Sequence, residues 1–137
     1  MPSLGRALIT IAAISNVISP FLADFNHTHI YNPRWTGHAK YHTGQTLSFG
    51  VLLGISTLYY TWKEPRGKPE SLWVAAWLGT MYWVTSLSAV LYPNTKAVDP
   101  EFGDGFPQLW VNTAHLTFVW GGLYLALARE GARQKRE

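Results

Sequence analysis

The charged residues of this chain are gathered in short clumps, and the clumps leave four long stretches without any charge. The 137 residues include 11 Lys and Arg and 8 Asp and Glu side chains. The uncharged stretches are 17, 20, 25 and 24 residues long and cover 7–23, 43–62, 71–95 and 105–128. A helix needs about 20 apolar residues to cross the hydrocarbon core of a bilayer, within a range of roughly 17–25. We therefore predict an all-α integral membrane protein with four spanning helices.

The mean hydropathy of the chain is −0.01, and this value alone would favour a soluble protein. A soluble four-helix bundle would need polar faces that carry Lys and Glu at helical spacing. None of the four stretches carries one such residue. Trp, Tyr, Gly, Ser and Thr lower the mean, yet they are common in membrane helices and at membrane interfaces. The charge pattern therefore outweighs the average.

The length fits one domain, and nothing indicates an internal boundary. We predict a single up-down-up-down four-helix bundle over 1–137, with helices at about 4–23, 42–62, 71–92 and 107–128. The first helix is expected to be retained, because Ser19-Pro20-Phe21-Leu22-Ala23 is not a convincing signal-peptide cleavage site. The chain contains no cysteine, which excludes disulfides and thiol chemistry.

Lysine and arginine residues predict the orientation of the bundle. With four spans, both termini and the middle loop share one side, which carries eight Lys and Arg residues, whereas the other side carries three. Cytoplasmic loops hold the excess of Lys and Arg. We therefore expect both termini in the cytosol, and the endoplasmic reticulum as the location if the source is eukaryotic. The basic C-terminal segment is then an inner-side anchor, and no binding of nucleic acid is expected.

All five histidines are predicted to lie toward the opposite, non-cytosolic face. Four are in or beside the first long loop, namely His27, His29, His38 and His42, and His115 is in the outer half of the fourth helix. Polar and ionisable groups at membrane depth are costly and usually face the protein interior or a wet cavity. This clustering is the strongest functional indication in the sequence.

Helical spacing groups some of these histidines with polar neighbours. His38 and His42 are four residues apart and share one face of the second helix, with Gln45 about one turn further on. Asn112 and His115 are three residues apart and share one face of the fourth helix. We expect Gln45, Asn112 and His115 to point inward, close to the loop that holds the other histidines.

Each histidine also has a purely structural interpretation. His27 and His29 would then be solvated loop residues. His38 and His42 would only mark the start of a helix at the lipid headgroups. His115 would hydrogen-bond between helices, as polar residues often do in membrane bundles.

A metal site is a further interpretation of the same residues. His27-x-His29 and His38-x-x-x-His42 have ligand-like spacings, and Asp24 is near. The second pair resembles a motif of membrane desaturases and hydroxylases. Those enzymes carry more histidines, in several clusters on the cytosolic side, whereas this chain has five on the opposite face. We therefore expect no bound metal and keep a metal-dependent membrane oxidase or hydroxylase as an alternative.

The segment Asn32-Pro33-Arg34-Trp35-Thr36-Gly37-His38-Ala39-Lys40-Tyr41-His42 resembles a pattern of the form N-P-x-W-x-x-H-A-x-F-H. This pattern occurs in small four-span membrane proteins of fungi and bacteria that form a family of unknown function. Tyr41 stands where the pattern has Phe. In fungi, some members are encoded beside natural-product biosynthesis genes. The resemblance carries over Trp35, His38 and His42, and it implies an accessory enzyme that acts on a lipophilic intermediate.

The leading hypothesis is an isomerase or cyclase that acts on a lipophilic, natural-product or terpenoid-like molecule by histidine acid–base catalysis, without a cofactor. The expected catalytic residues are His38 and His42 for proton transfer and His115 for polarising the substrate. Substrate contacts are expected from Trp35, Gln45, Asn112, Asp24 and Tyr82. Asp24 or an acidic residue of the loop after the third helix would set the tautomer of a histidine. The sequence has no nucleotide-binding loop, Gly-x-Ser-x-Gly elbow or dinucleotide fingerprint.

The expected partners are the lipophilic substrate, membrane lipids and biosynthetic partner enzymes. A second hypothesis is a non-enzymatic membrane scaffold or a chaperone for such an enzyme. A third is a protein that binds or senses a ligand in the same outer pocket.

Overall fold

The computed structural model describes residues 3–64 and 68–136. These residues form four α-helices: α1 (Leu4–Asp24), α2 (Gly37–Trp62), α3 (Pro69–Ser88) and α4 (Gln108–Gln134). A short 3₁₀ turn, Ala89–Leu91, continues α3. No strand occurs in the part of the chain that the structure describes. The all-helical fold predicted from the charge pattern is therefore confirmed.

Side-chain caps explain where two of the helices begin. The Ser3 hydroxyl accepts a hydrogen bond from the Arg6 amide at 3.2 Å, and the Thr36 hydroxyl accepts one from the Ala39 amide at 3.2 Å. Such caps satisfy amides that have no partner inside the helix. The Thr36 cap starts α2 at Gly37, five residues before the bound of 42 expected from the sequence.

The other helix bounds also differ from those expected from the sequence. The helix α4 ends at Gln134 rather than near 128, and α3 begins at Pro69 rather than 71. The cause is the same as for α2, whose first turn contains Lys40. Charged residues do not limit these helices, because a helix continues through them without cost to its backbone hydrogen bonds.

The four helices form a ring in chain order. The helix α1 contacts α2 and α4, α3 contacts the same two helices, and α1 also touches α3 across the middle. Neighbouring helices run antiparallel. Near the start of α1, Gly5 lies against Gly122 and Ala126 close to the end of α4. The Arg6 guanidinium donates to the Glu64 carbonyl just after α2, at 2.9 Å. Both chain ends and the middle loop therefore lie at one end of the bundle. The two long loops, the first at 25–36 and the third at 92–107, lie at the other end.

Glycine allows α1 to pack closely on α2 and α4. A Cβ atom built on Gly54 would lie 2.7 Å from the Ala13 carbonyl oxygen of α1. One built on Gly122 would lie 2.8 Å from the Gly5 carbonyl oxygen. Small residues permit this approach of backbones in membrane bundles. The Gly50–Gly54 step therefore packs α2 against α1 within the chain. The central core is a cluster of small and branched residues: Ala12, Leu72, Ala76, Val119, Leu123 and Ala126.

Two of the helical segments are long and apolar enough to cross a membrane. They are Leu4–Asp24, with a mean hydropathy of 1.6 in its best window, and Pro69–Leu91, with 1.4. This length and composition are a weak indication of a membrane protein, because buried core helices also meet the criterion. The helices α2 and α4 do not meet it.

Candidate functional site

A cavity of about 1150 Å³ opens at the end of the bundle that carries the two long loops. Its wall is mostly apolar and is built from the end of α1, the start of α2, the end of α3 and the start of α4, together with parts of both loops. Binding sites for small molecules are typically concave, mostly apolar and supplied with a few polar groups. The ring of antiparallel helices thus brings four helix ends together around one candidate site.

The most distinctive polar feature of the wall is the pair formed by Asp24 and His29. Asp24 is the last residue of α1, and His29 lies in the first loop. The Nδ1 atom of His29 is 3.6 Å from the Oδ1 atom of Asp24, and both residues line the cavity. A carboxylate beside an imidazole orients the ring and stabilises its protonated form. The carboxylate is therefore near enough to stabilise a positive charge on His29, but at 3.6 Å it does not accept a hydrogen bond from Nδ1.

Local hydrogen bonds define which nitrogen of His29 carries the proton. The Thr28 hydroxyl donates its single hydrogen to Asn26 Oδ1 at 2.7 Å. The same hydroxyl oxygen lies 2.6 Å from Nδ1 of His29, so it must accept a hydrogen from that nitrogen. Nδ1 is then the protonated nitrogen of the neutral ring, and Nε2 carries the lone pair that is able to accept a proton.

The conformation of the first loop depends on Asn26. Its Nδ2 atom donates to the carbonyl oxygens of Ala23 at 2.7 Å and Leu22 at 3.4 Å, which would otherwise be unpaired at the end of α1. Its Oδ1 atom accepts from the Thr28 amide at 2.8 Å and closes an Asx turn. This turn directs the chain back over the end of α1 and places His29 beside Asp24.

Aromatic contacts hold the loop histidines in place. The ring of Trp35 meets His29 edge to face, with centroids 4.8 Å apart. His27 meets Phe102 of the third loop in the same manner, at 5.6 Å. Trp35 packs against His29 and does not line this cavity, so its expected contact with substrate stays a prediction. An ion pair between Arg34 and Glu101 also ties the two loops together.

Three further polar residues predicted from the sequence do line the cavity: Gln45, Tyr82 and Asn112. Tyr82 is close enough to Asp24 for the two side chains to interact electrostatically. The Asn112 Nδ2 atom donates to the Ser86 hydroxyl at 3.2 Å, which connects α4 to α3. The wall therefore offers hydrogen-bonding groups on three sides of an apolar space.

His38 and His42 lie outside the cavity wall, and both are exposed. Their Nε2 atoms are 3.1 Å apart, as their shared helical face predicts. Nδ1 of His42 lies 3.2 Å from Oε1 of Gln45. Because Oε1 accepts only, Nδ1 of His42 donates, and a hydrogen on His38 completes a chain that runs from His38 through His42 to Gln45.

His115 lies deeper in the bundle, about one helical turn below Asn112, and only 4 % of it is exposed. Its ring is tilted against that of Trp83, with centroids 4.5 Å apart, and it hydrogen-bonds to the backbone of Gly79. His115 is not part of the cavity wall, although its neighbour Trp83 is.

The structure therefore brings together Asp24, Gln45, Tyr82 and Asn112 of the expected set, and it does not bring His38, His42 and His115 to one point. The cavity histidine is His29, which is not among the catalytic residues expected from the sequence. Its signal in the sequence is weak. It consists of an Asx-turn residue, Asn26, between the end of a helix and a histidine five positions after Asp24.

No group of three or more His, Asp or Glu side chains that could hold a metal ion together occurs in residues 3–64 and 68–136. His38 and His42 approach each other as a pair only.

The fold and the cavity define a small all-helical protein with one large cavity, whose mostly apolar wall carries a few polar side chains. The model of a family of unknown function, DUF6640, matches residues 8–136, and the chain belongs to this family. No curated protein and no solved structure matches the chain.

Proposed function

We propose that this protein is a membrane-embedded isomerase or cyclase that acts on a lipophilic small molecule by histidine-based acid–base catalysis. The observation that carries the proposal is the Asp24–His29 pair in the wall of a large, mostly apolar cavity. The resemblance of residues 32–42 to small membrane proteins encoded beside biosynthesis genes favours a natural-product or terpenoid-like intermediate as the substrate.

All four helices span the membrane in this proposal. The outward faces of α2 and α4 carry large apolar side chains that are exposed in the isolated chain, among them Leu52 and Ile55 on α2 and Phe118 and Tyr124 on α4. Contiguous exposed apolar surface on several sides of a bundle is rare in soluble proteins. Lipid would cover this surface in a bilayer.

Hydroxyl groups contribute to the low mean hydropathy of α2 and α4, together with polar residues such as Gln45, Asn112 and His115. Thr57 and Thr61 of α2 donate to carbonyl oxygens one turn earlier, at 2.8 and 2.7 Å. Thr113 and Thr117 of α4 do the same, at 2.7 and 2.8 Å. These hydroxyls need no water, because the helix itself accepts their hydrogens. A hydropathy index counts them as polar, whereas the helix surface that they present is largely methyl.

The distribution of charge supports an orientation with both termini in the cytosol. The end of the bundle with the termini and the middle loop carries eight of the 11 Lys and Arg residues. Cytoplasmic ends carry such an excess. The cavity then opens on the non-cytosolic side, which is the lumen of the endoplasmic reticulum if the source is eukaryotic.

The chemistry follows from the tautomer of His29. Its Nε2 lone pair accepts a proton from carbon or oxygen of the substrate, and Asp24 stabilises the imidazolium that forms. The same imidazolium then returns a proton at another position. An isomerisation or cyclisation of this kind conserves mass and electrons, so it requires no redox partner. The phenol of Tyr82, beside Asp24, is placed to act as a second proton donor.

His29 fits proton transfer better than His38, His42 or His115. A base must reach the substrate within hydrogen-bond distance or through one water. His38 and His42 are exposed outside the wall and reach the cavity only through Gln45. Their direct catalytic role, and that of His115, stay predictions from the sequence. Trp35 is a positioning residue for His29.

Mass spectrometry of metabolites tests the proposal. The host pathway is reconstituted in a heterologous host with and without this gene. An intermediate that disappears while an isomer of identical mass appears supports the enzyme. A product that differs by one oxygen or two hydrogens contradicts it and favours the metal-dependent oxidase. Unchanged metabolites contradict any enzyme, and a stoichiometric partner in purified protein would then favour the scaffold or chaperone.

A further inference from the structure

A second polar cluster lies below the cavity, in the interior of the bundle. Five side-chain atoms are buried there without a hydrogen-bond partner among the described residues: Asn16 Nδ2, Asn16 Oδ1, Trp83 Nε1, Asn112 Oδ1 and His115 Nε2. The four side chains come from α1, α3 and α4, and each is at most 5 % exposed. They form what we call the inner polar cluster.

The members of the inner polar cluster lie at one level of the bundle. The rings of Trp83 and His115 are in contact, at 4.5 Å between centroids, and Asn112 is three residues from His115 on α4. A Cβ built on Gly50 would lie 3.1 Å from the Asn16 carbonyl and 3.3 Å from the Tyr82 ring. The backbone of Asn16 therefore lies at the level of Tyr82, the chain neighbour of Trp83. Trp83 and Asn112 also belong to the cavity wall, so the cluster meets the floor of the cavity through these two residues, and Asn16 and His115 lie behind them.

Unpaired polar atoms in a protein interior cost free energy, and native structures contain few of them. One such atom has many explanations. Five such atoms at and below the floor of one cavity indicate that their missing partner is a molecule that enters the cavity. The cost of leaving them unpaired is greater in a low-dielectric interior than near the surface.

The donor and acceptor character of these atoms indicates which chemical group would pair with them. The Trp83 indole is a donor only, and Asn16 supplies one donor group and one acceptor. Asn112 Oδ1 is an acceptor. His115 hydrogen-bonds to the backbone of Gly79, whose amide is already used within α3, so the ring donates to the carbonyl and Nε2 is left as an acceptor. The cluster therefore combines donors with acceptors and includes no charged side chain.

We propose that the inner polar cluster is a binding site for the neutral oxygen of a lipophilic alcohol or ketone. A hydroxyl matches best, because its oxygen accepts from Trp83 and Asn16 while its hydrogen is donated to Asn112 or His115. The ionisable side chains of the cavity wall, Asp24, His29, Lys96 and Tyr82, do not belong to the cluster. A carboxylate or phosphate would thus have no partner of opposite charge at the floor.

This inference rests on the proposed function in one respect, which is that the bound molecule is called a substrate. With its oxygen held at the floor, the hydrocarbon part of the molecule extends along the apolar wall toward the Asp24–His29 pair. The substrate class is then a neutral, oxygenated lipophile rather than a charged amphiphile.

The test uses nuclear magnetic resonance of the ¹⁵N-labelled indoles in the full chain, reconstituted in lipid nanodiscs. The Trp83 signal is assigned by its loss in Trp83→Phe. The probes are 1-dodecanol and its hydrocarbon counterpart dodecane. We expect saturable dodecanol binding that moves the Trp83 indole hydrogen downfield, and no such movement with dodecane, because only the alcohol supplies an oxygen.

Variants provide the control. Asn112→Leu preserves the size of the side chain and removes the acceptor, and we expect it to weaken dodecanol binding about ten-fold. Asn16→Leu serves as a second variant should the first fail to fold. Thr113→Val, an exposed neighbour on α4 whose hydroxyl donates to its own helix, is expected to bind normally.

A Trp83 signal that ignores dodecanol, or that responds equally to dodecane, would overturn the proposal. A Trp83 indole that instead exchanges rapidly with water would show that water pairs with these atoms, which overturns it as well. The proposed function is tested independently of the alcohol site. If product formation depends on His29 while dodecanol does not bind, the enzyme stands and only the alcohol site is lost.

Discussion

The hydroxyl oxygen of Thr28 lies 2.6 Å from Nδ1 of His29 and accepts its hydrogen, since the single hydrogen of Thr28 is donated to Asn26. This relationship leaves Nε2 of His29 as the basic nitrogen of the cavity. The Oδ1 atom of Asp24 lies 3.6 Å from the same Nδ1, which places a carboxylate beside this histidine in the cavity wall.

Replacing Thr28 tests this arrangement. Thr28→Val keeps the shape of the side chain but accepts no hydrogen from Nδ1, so the tautomer is less well defined. We expect product formation to fall roughly three- to ten-fold, in line with the loss of one hydrogen bond. Thr28→Ser retains the hydroxyl and is expected to keep the wild-type rate. The measurement is the product yield in a bacterial host. Such a host does not glycosylate the sequon Asn26-His27-Thr28, which Thr28→Val would remove. Equal rates for Val and Ser would contradict the role of Thr28.

Two adjacent glycines of α4 differ in what surrounds them. A Cβ built on Gly122 would lie 2.8 Å from the Gly5 carbonyl and 2.9 Å from Ile9, whereas one built on Gly121 meets nothing within 4 Å. We expect Gly122→Ala to lower the free energy of unfolding by about 1–3 kcal/mol, the usual cost of overpacking.

The matched control is Gly121→Ala, which is expected to be neutral or stabilising by up to about 1 kcal/mol, because Ala is the better helix former. Thermal unfolding in one detergent measures both variants. If they behave alike, α1 and α4 do not pack as closely as described.

Four spanning helices predict a pattern of chemical protection. The chain has no cysteine of its own, so a single introduced cysteine reports its own position. Ile55→Cys on α2 and Phe118→Cys on α4 replace exposed side chains that would face lipid. We expect both to resist a water-soluble maleimide in intact membranes and to react after denaturation.

Asp104→Cys, in the exposed third loop, is the reactive control. Labelling of Ile55→Cys or Phe118→Cys as fast as this control would mean that the corresponding helix does not cross the membrane.

The sequence predicted four helices because its charged residues leave four long uncharged stretches, and each helix covers most of one stretch. It missed their ends, because a cap such as Thr36 acts through one hydrogen bond and a helix continues through charged residues such as Lys40. The contact between His38 and His42 followed from helical spacing. The direction of their face did not, since it depends on how α2 packs against α1 and α3.

For the cavity, too, the sequence predicted the residues on helices but not the histidine in the loop. Asp24, Gln45, Tyr82 and Asn112 were expected to contact substrate and line the cavity, because polar groups at helix ends turn toward the interior of a bundle. The position of His29 depends on the turn at Asn26 and on the packing of Trp35. Such loop conformations result from several weak contacts, and periodicity in the sequence carries no trace of them.

The role of His29 as the general base is tested most directly by comparing His29→Ala with His27→Ala in the reconstituted host, with membrane levels of both proteins matched. His27 is two residues away, is exposed and packs on Phe102, so it controls for damage to the loop. Loss of a general base is expected to lower product formation by about 10²–10⁴-fold. We expect this loss for His29→Ala and near-normal product for His27→Ala. Normal product from His29→Ala, or equal losses in the two variants, would contradict this role.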